Sequence, residues 1–178
     1  MSDIEMNLPF PLDDNGYFRR ECPFCCKEFK VLLEKEELTD LAQKGLDSFM
    51  VETQEATNLD EDEHSEVEFT CPYCGQAAVS GNWWTQEQLA YISVVTKNIM
   101  AKIVNENLIR PLKRTSRKYG SGMISVQFEG KEMEQQEPWI SPEVNDMKVY
   151  DLPCCQRKIK VEDGWASRVF CFFCGFPH

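Results

Sequence analysis

The clearest periodic pattern in the chain is a run of apolar residues that follows Trp84. These residues recur at three- and four-residue steps, which places them on one face of an α-helix. They are Leu89, Ile92, Val95, Ile99, Met100, Ile103 and Val104. Thr85 and Gln88 have the spacing of a capping box at the helix start, and Pro111 is expected to end or kink the helix. The pattern predicts one long amphipathic helix that buries its apolar face.

Alternation of apolar and polar residues predicts short strands near both ends of the chain. Ile159 and Val161 alternate with lysines, Asp163 and Gly164 form a turn signal, and Val169 begins a return strand, so a two-stranded hairpin is expected. Residues 29–33 and 67–70 are expected to form the equivalent pair of strands earlier in the chain. A helix over about 36–50 and a further strand at 124–128 complete the predicted elements.

The charge of the chain is concentrated in one region. Residues 34–68 contain thirteen acidic residues and two lysines, a balance of −11 that equals the net charge of the whole chain. Residues 97–118 contain seven basic residues and only Glu106, a balance of +6. The chain is therefore strongly dipolar, and both charged runs are consistent with solvated surfaces as well as with contacts to each other or to a partner.

Nine cysteines occur mainly as close pairs, which favours metal binding over a ladder of disulfides. The first two pairs, Cys22/Cys25 and Cys71/Cys74, have two residues between the cysteines, and the first of these residues is proline in both. Proline presets the turn, and Gly75 can adopt the left-handed backbone that follows the second cysteine. These four thiols are predicted to hold one Zn²⁺ ion in a closed, structural site.

A second site is indicated by an internal repeat. Vicinal cysteines and an alternating strand recur at 154–161, and a Phe-Thr-Cys-x-x-Cys-Gly pattern at 69–75 recurs in modified form at 169–175. Aligning the vicinal cysteines places Asp151 opposite Cys22, so Asp151, Cys155 and His178 compete for the fourth position. We favour Cys155, and the alternative is a three-ligand or metal-free ribbon. The predicted metal ligands of the chain are Cys22, Cys25, Cys71, Cys74, Cys154, Cys155, Cys171 and Cys174.

These cysteine pairs and their flanking strands resemble the zinc-ribbon, or rubredoxin-like, superfamily. The resemblance implies an α+β protein in which two small antiparallel zinc-ribbon units flank the long helix, with two Zn²⁺ ions per chain. The expected organisation is an extension (1–16), a first ribbon (17–82) with a helical and acidic insertion (34–66), a helix plus strand (83–128), an acidic linker (129–148) and a second ribbon (149–178). It does not imply one function, because zinc ribbons occur in proteins with many roles.

Enzyme activity is not expected from this sequence. The only histidines are His64 and His178, so a nucleophile–histidine arrangement has almost no candidate base, and a glycine loop for phosphate is absent from the sequence. A redox dithiol would need a strand leading into a helix, whereas these pairs are flanked by strands. Thiol redox chemistry and an iron centre that carries electrons are the less favoured alternatives.

Two functions are consistent with the sequence. A non-catalytic adaptor that acts through protein–protein contacts would use the long helix and the three tryptophans expected to be exposed, Trp83, Trp84 and Trp139. A nucleic-acid-binding factor related to transcription would use basic residues, namely Lys113, Arg114, Arg117, Lys118, Arg157, Lys158, Lys160 and Arg168. The adaptor is favoured because the chain is acidic overall.

The remaining expectations concern partners and location. The helix over 85–110 is a possible homodimer seam, and nucleic acid is a possible partner. The first fourteen residues have neither the basic nor the apolar region of a signal peptide, and a stretch of about 20 apolar residues is lacking, so a membrane is not expected. We expect a cytoplasmic protein, in which thiols stay reduced and available to metal.

Overall fold

The fold is taken from a computed structural model, which describes residues 10–33, 67–118 and 128–178. The helix expected at about 36–50, the rest of the 34–66 insertion with His64, and residues 124–127 of the predicted strand lie outside the described residues. The described chain forms two compact units, one made of 1–89 and 140–178 and the other of 90–139. Within the described residues, no helix is both long and apolar enough to span a membrane.

The first cysteine knuckle is the turn of a β-hairpin. β1 (Tyr17–Glu21) pairs antiparallel with β2 (Glu28–Leu32), and Cys22 and Cys25 lie in the turn between them. Three successive β2 residues, Phe29 to Val31, are completely buried although neighbouring side chains point to opposite faces. β2 is therefore covered on both faces, as expected for a central strand of a sheet.

The second ribbon repeats this hairpin and extends the same sheet. β5 (Met147–Leu152) pairs antiparallel with β6 (Arg157–Glu162), and β6 also pairs antiparallel with β2, giving the strand order β1-β2-β6-β5. Lys30 of β2 lies opposite Lys160 of β6 at this junction. Because the two lysines hold equivalent places in the two hairpins, the sheet has an approximate internal twofold axis between them.

The predicted α+β class with antiparallel strands is confirmed, but the predicted strand partners are wrong. β3 (Glu68–Thr70) pairs with β4 (Ala77–Val79) instead of with β2, and Val169 exchanges backbone hydrogen bonds of 2.8 and 3.3 Å with His178 instead of pairing with β6. The physical reason is that each cysteine knuckle is itself a tight turn, so the segments on its two sides meet directly. The hairpins that carry Cys22/Cys25 and Cys154/Cys155 consequently lie in one sheet.

The internal symmetry extends to the second pair of knuckles. The backbone N–H of Thr70 donates to Phe172 O, and the N–H of Phe170 donates to Pro72 O, both at 2.9 Å. Positions 70 and 170 are equivalent in the two ribbons, as are 72 and 172, so these two hydrogen bonds are reciprocal. The ribbons therefore contact each other at both ends of the repeated unit.

An aromatic cluster fills the space between the two sheets. Phe172 lies 5.3 Å from Phe29 and 5.5 Å from Trp83 between ring centroids, and it stacks on Phe69 at 4.4 Å. Trp83 is completely buried and Trp84 is 7% exposed, so the expectation that both are surface residues is wrong. The reason is that both rings pack into the aromatic cluster: Trp83 lies 5.9 Å from Phe29, and Trp84 lies 5.2 Å from Phe10, between ring centroids.

The junction between the ribbons contains buried charges. Lys160 donates to Asp13 at 2.7 Å, while Lys30 forms ion pairs with Asp146 at 2.8 Å and Glu143 at 3.0 Å. Both lysines and Asp13 are at most 1% exposed. Burial alone would raise the pKa of Asp146, but hydrogen bonds from Lys30 and Arg19 outweigh this effect and lower the pKa to about 2. The Asp146 carboxylate is therefore ionised at neutral pH beside the buried Lys30.

The long helix begins as predicted but does not end at Pro111. α1 (Gln86–Val104) is followed by a π turn (Asn105–Ile109) and then by α2 (Arg110–Lys118). Thr85 and Gln88 form the predicted capping box, with reciprocal hydrogen bonds of 3.0 and 3.2 Å. The π turn lies where an α-helix would need the missing N–H of proline, and the Arg110 N–H bonds to Asn105 O across this wider turn. Helical structure thus continues through Pro111, with a local change in helix type just before it.

In the second unit, an extended segment lies along this helix. Asn98 bonds to both backbone groups of Gln136, at 2.6 and 2.8 Å, and Asn105 bonds to both backbone groups of Met133, at 2.8 Å each. Two asparagines seven residues apart lie about 10 Å apart along a helix, which matches three residues of extended chain. Part of the predicted acidic linker is therefore held in a fixed register against α1.

A glycine prediction tests the close approach of the two ribbons. Gly75 has φ +70°, and a Cβ at this position would lie 2.9 Å from the Phe170 ring, whereas Gly164 has φ +82° and open space around it. We expect Gly164→Ala to lower the free energy of unfolding by about 1 kcal/mol from backbone strain alone. Gly75→Ala should cost about 2–4 kcal/mol because overpacking adds to the strain. Urea unfolding of both variants measures this difference, and equal losses would contradict it.

Candidate metal centres

Four thiols converge between the first two knuckles. Cys22 and Cys25 come from the turn after β1, and Cys71 and Cys74 come from the turn after β3. All four sulfurs lie within 4.8 Å of one another; Cys22–Cys74 is 3.7 Å and Cys25–Cys71 is 3.8 Å. This group could hold a metal ion, and its donor set is the one predicted from the spacing.

In each of the first two knuckles, backbone N–H groups point at a cysteine sulfur and can stabilise negative charge on it. The N–H groups of Phe24 and Cys25 point at Cys22 Sγ at 3.4 and 3.5 Å, and those of Tyr73 and Cys74 point at Cys71 Sγ at the same distances. Burial raises the pKa of the Cys71 thiol in the absence of metal. The hydrogen bonds oppose that effect, so a cation in the cluster would meet thiolates that the backbone already stabilises.

The distances between the sulfurs fit a tetrahedral ion. Four sulfurs placed at the usual Zn–S distance of about 2.3 Å lie about 3.8 Å from one another. Two sulfur–sulfur distances in each group fall between 3.5 and 3.8 Å, which is far beyond a disulfide bond of about 2.05 Å. Both groups therefore have the donor type and the size that zinc or iron requires.

The second group contains the four predicted cysteines of the later ribbon. Cys154 and Cys155 lie in the turn between β5 and β6, and Cys171 and Cys174 lie in the last knuckle. Cys155 is 3.8 Å from Cys171, and Cys154 is 3.5 Å from Cys174. A hydrogen bond from the backbone of Phe176 lowers the pKa of Cys174 to about 7. This group could also hold a metal ion.

The alignment of the two copies differs from the one predicted by the vicinal cysteines. Cys26 and Gln156 both have φ +54°, which makes Cys155 the equivalent of Cys25. Leu152, which is completely buried, then takes the place of Cys22. The alignment on vicinal cysteines was wrong by one residue. Both copies contain a Cys-Cys pair, but the feature that repeats at equivalent positions is the backbone turn, not this pair. Cys154 therefore supplies its thiol from a position that has no counterpart among the first four cysteines.

The structure distinguishes the three candidates for the fourth ligand of the second group, Asp151, Cys155 and His178. Asp151 is 77% exposed on its side chain and forms an ion pair with Lys158 at 3.4 Å, so it does not belong to the thiol group. Cys154 and Cys155 both belong to it. His178 lies at its edge, with Nε2 3.2 Å from Cys154 Sγ. Cys26, the ninth cysteine, is exposed and lies outside both groups.

The basic residues of the second ribbon are only partly available to a partner. Lys160 is buried in the junction between the ribbons, and the guanidinium of Arg157 lies 4.3 Å over the Phe173 ring. The burial of Lys160 could not be predicted from the sequence, because Lys160 alternates with apolar residues as a solvent-facing lysine would. Three comparisons, with protein-family models, with curated proteins and with solved structures, each find no match to this chain.

Proposed function

We propose that this chain is a zinc-stabilised, non-catalytic adaptor that acts through protein–protein contacts. The observation that carries the proposal is the pair of four-thiol groups, each of which joins a turn of the four-stranded sheet to a second cysteine knuckle outside that sheet. In such a site all four positions around the ion belong to protein sulfur, which is the arrangement of structural zinc. The metal would hold the turns of four hairpins, and the surface of the folded chain would do the biological work.

An exposed apolar stripe on the second unit is the surface that we assign to partner binding. Met100, Leu108 and Leu112 are 43%, 54% and 40% exposed. In a regular α-helix, residues spaced four apart move progressively around the helix axis. The π turn between Val104 and Arg110 has more residues per turn, so it brings Leu108 and Leu112 back towards the side of the helix that carries Met100. Trp139, which is 71% exposed, adds a second apolar group to the same unit.

The charge around the stripe indicates what kind of partner it would accept. Residues 97–118 carry a balance of +6, and although Arg110 and Lys113 both lie within 4 Å of Glu132, the segment stays positive, so two copies of this helix would bring like charges together. An acidic protein surface would instead gain from the same charge. We therefore prefer an acidic protein partner to the homodimer that the helix alone also allows.

Nucleic acid is the second candidate, supported by the same +6 segment. It is less favoured because Lys160 is buried and Lys158 is paired with Asp151, which removes half of the basic strip expected on the second ribbon. Salt-dependent binding to DNA or RNA, weakened by charge reversal at Arg114 and Arg117, would reverse this order.

The first experiment is elemental analysis combined with native mass spectrometry on protein purified without added metal. Two zinc ions per chain would support the proposal and would also give the number of subunits. Iron would favour electron transfer instead, and disulfides without metal would favour thiol redox chemistry.

The adaptor surface makes its own prediction. Changing both Leu108 and Leu112 to serine is expected to lower the affinity for a captured partner by about tenfold to a hundredfold. Full burial of a leucine contributes roughly 1.5–3 kcal/mol, and only about half of each of these side chains is still exposed for a partner to cover. Val149→Ser on β5 is the matched control, since Val149 is 50% exposed in the other unit. Quantitative pull-down from the native lysate measures both variants. Equal retention of partners would contradict the assignment of this stripe.

A further inference from the structure

The two metal groups differ at three equivalent positions, and the differences are related. Where the first ribbon has Cys22, the second has Leu152, so one knuckle thiol has been lost. Where the first has Phe24, the second has Cys154, which restores a fourth thiol. The third difference lies on the strand after the last knuckle: the position paired with Phe69 is Ala78, whereas the position paired with Val169 is His178. At the thiol group itself, the second ribbon therefore has one more metal-binding side chain than the first, since Cys26 lies outside the first group.

His178 is held in place at the edge of the second group. Its backbone N–H donates to Val169 O at 2.8 Å, and its carbonyl accepts from the Val169 N–H at 3.3 Å. Its ring lies 5.4 Å from that of Phe176 and 6.4 Å from that of Tyr150, between centroids. The imidazole Nε2 is thereby directed at Cys154, 3.2 Å from the sulfur. These backbone and ring contacts restrict the rotation of the imidazole and keep Nε2 beside the sulfur of Cys154.

Cys154 is the thiol of the second group with which His178 is in contact, and it is exposed to solvent. The equivalent Phe24 is 52% exposed, so this place in the knuckle faces solvent in both ribbons. Imidazole nitrogen and thiolate are both common zinc ligands, and structural sites use Cys₃His as well as Cys₄ sets. Either Cys154 or His178 can therefore complete the set begun by Cys155, Cys171 and Cys174.

We propose that His178 is a reserve ligand of the second centre, which takes the coordination position of Cys154 when that thiol is lost. The second centre then has five donors for four positions, while the first has four. It would keep its metal when its exposed thiol is removed. This inference rests on the proposed function, because it requires that both centres bind metal.

The test uses the full chain loaded with Co²⁺, whose absorption reports thiolate ligands, together with metal content per chain. Cys154→Ser is expected to keep two ions and to lose about one eighth of the sulfur-to-cobalt charge-transfer intensity, since one of eight thiolates is gone. Cys174→Ser is the matched control: in the described residues His178 is hydrogen-bonded to Cys154 and not to Cys174, so this variant is expected to retain at most one ion. The double variant Cys154→Ser/His178→Ala is also expected to retain at most one.

A second readout separates coordination from a structural role of the histidine. Cadmium NMR of the Cys154→Ala variant should show one four-sulfur resonance and one resonance shifted towards mixed sulfur–nitrogen coordination. If Cys154→Ser retains only one ion, or if the double variant retains two, the reserve ligand is wrong while the proposed function stands. A wild-type chain that binds fewer than two ions would overturn both.

Discussion

Replacing Cys71 with serine is expected to remove at least one metal ion per chain and to unfold the unit that contains both ribbons. Cys71 is completely buried, accepts two backbone N–H groups and lies 3.8 Å from Cys25. A serine hydroxyl is a poor replacement for a thiolate on zinc. Structural zinc contributes on the order of 10 kcal/mol to folding, which is comparable with the whole stability of a domain.

The control for this substitution is provided by the chain itself. Cys26→Ser changes a cysteine that is exposed, lies outside both thiol groups and directly follows the first knuckle. We expect it to retain two ions and an unchanged urea midpoint. Metal content and circular dichroism melting measure both variants. An unchanged midpoint in Cys71→Ser would show that the first group is not a structural metal site.

The second large effect is expected from Asp13→Asn. Asp13 Oδ2 accepts from Lys160 at 2.7 Å, and its side chain is completely buried, so the substitution leaves a buried lysine with weaker neutral partners. Removing one partner of a buried pair typically costs about 3–5 kcal/mol. We expect the low end of that range, because Asn15 and Asn145 also accept from Lys160.

The matched control is Asp163→Asn, which breaks the ion pair between Asp163 and Lys148. Those side chains are 60% and 72% exposed, and an exposed pair contributes roughly 0–1 kcal/mol. Urea unfolding of metal-loaded protein at pH 7 compares the two variants. Equal losses of stability would show that the buried charges at the junction do not depend on Asp13.

The effect of Asp13 should also depend on pH. Burial alone would raise its pKa, but hydrogen bonds from Lys160 and from the backbone N–H groups of Tyr17 and Asn15 lower it in the folded chain. A carboxyl with a lowered pKa stabilises the fold above its unfolded pKa of about 3.9 and loses that contribution as the pH falls. The difference between wild type and Asp13→Asn should therefore be full at neutral pH and shrink below about pH 4.

The features that could be predicted from the sequence are those set by neighbouring residues. The thiol groups depend on tight turns with fixed spacing, and the capping box of Thr85 and Gln88 depends on residues three apart. Pairing between β2 and β6 could not be predicted, because it joins residues about 130 positions apart and no local pattern reports it. The equivalence of Leu152 with Cys22 could not be predicted either. It depends on a backbone angle, the positive φ shared by Gln156 and Cys26, which the residue types do not reveal.

The pairing of β2 with β6 also bears on how the chain folds during synthesis. A ribosome adds roughly 5–20 residues per second, so β2 emerges on the order of ten seconds before β6 exists to cover it. During that interval β2 is an edge strand, and such edges can recruit strands from other chains. Lys30 lies in the middle of this edge, where its charge opposes wrong pairing until Glu143 and Asp146 are synthesised and pair with it. A lysine that the finished fold has to neutralise would thus protect the nascent β1–β2 hairpin from aggregation until β6 covers it.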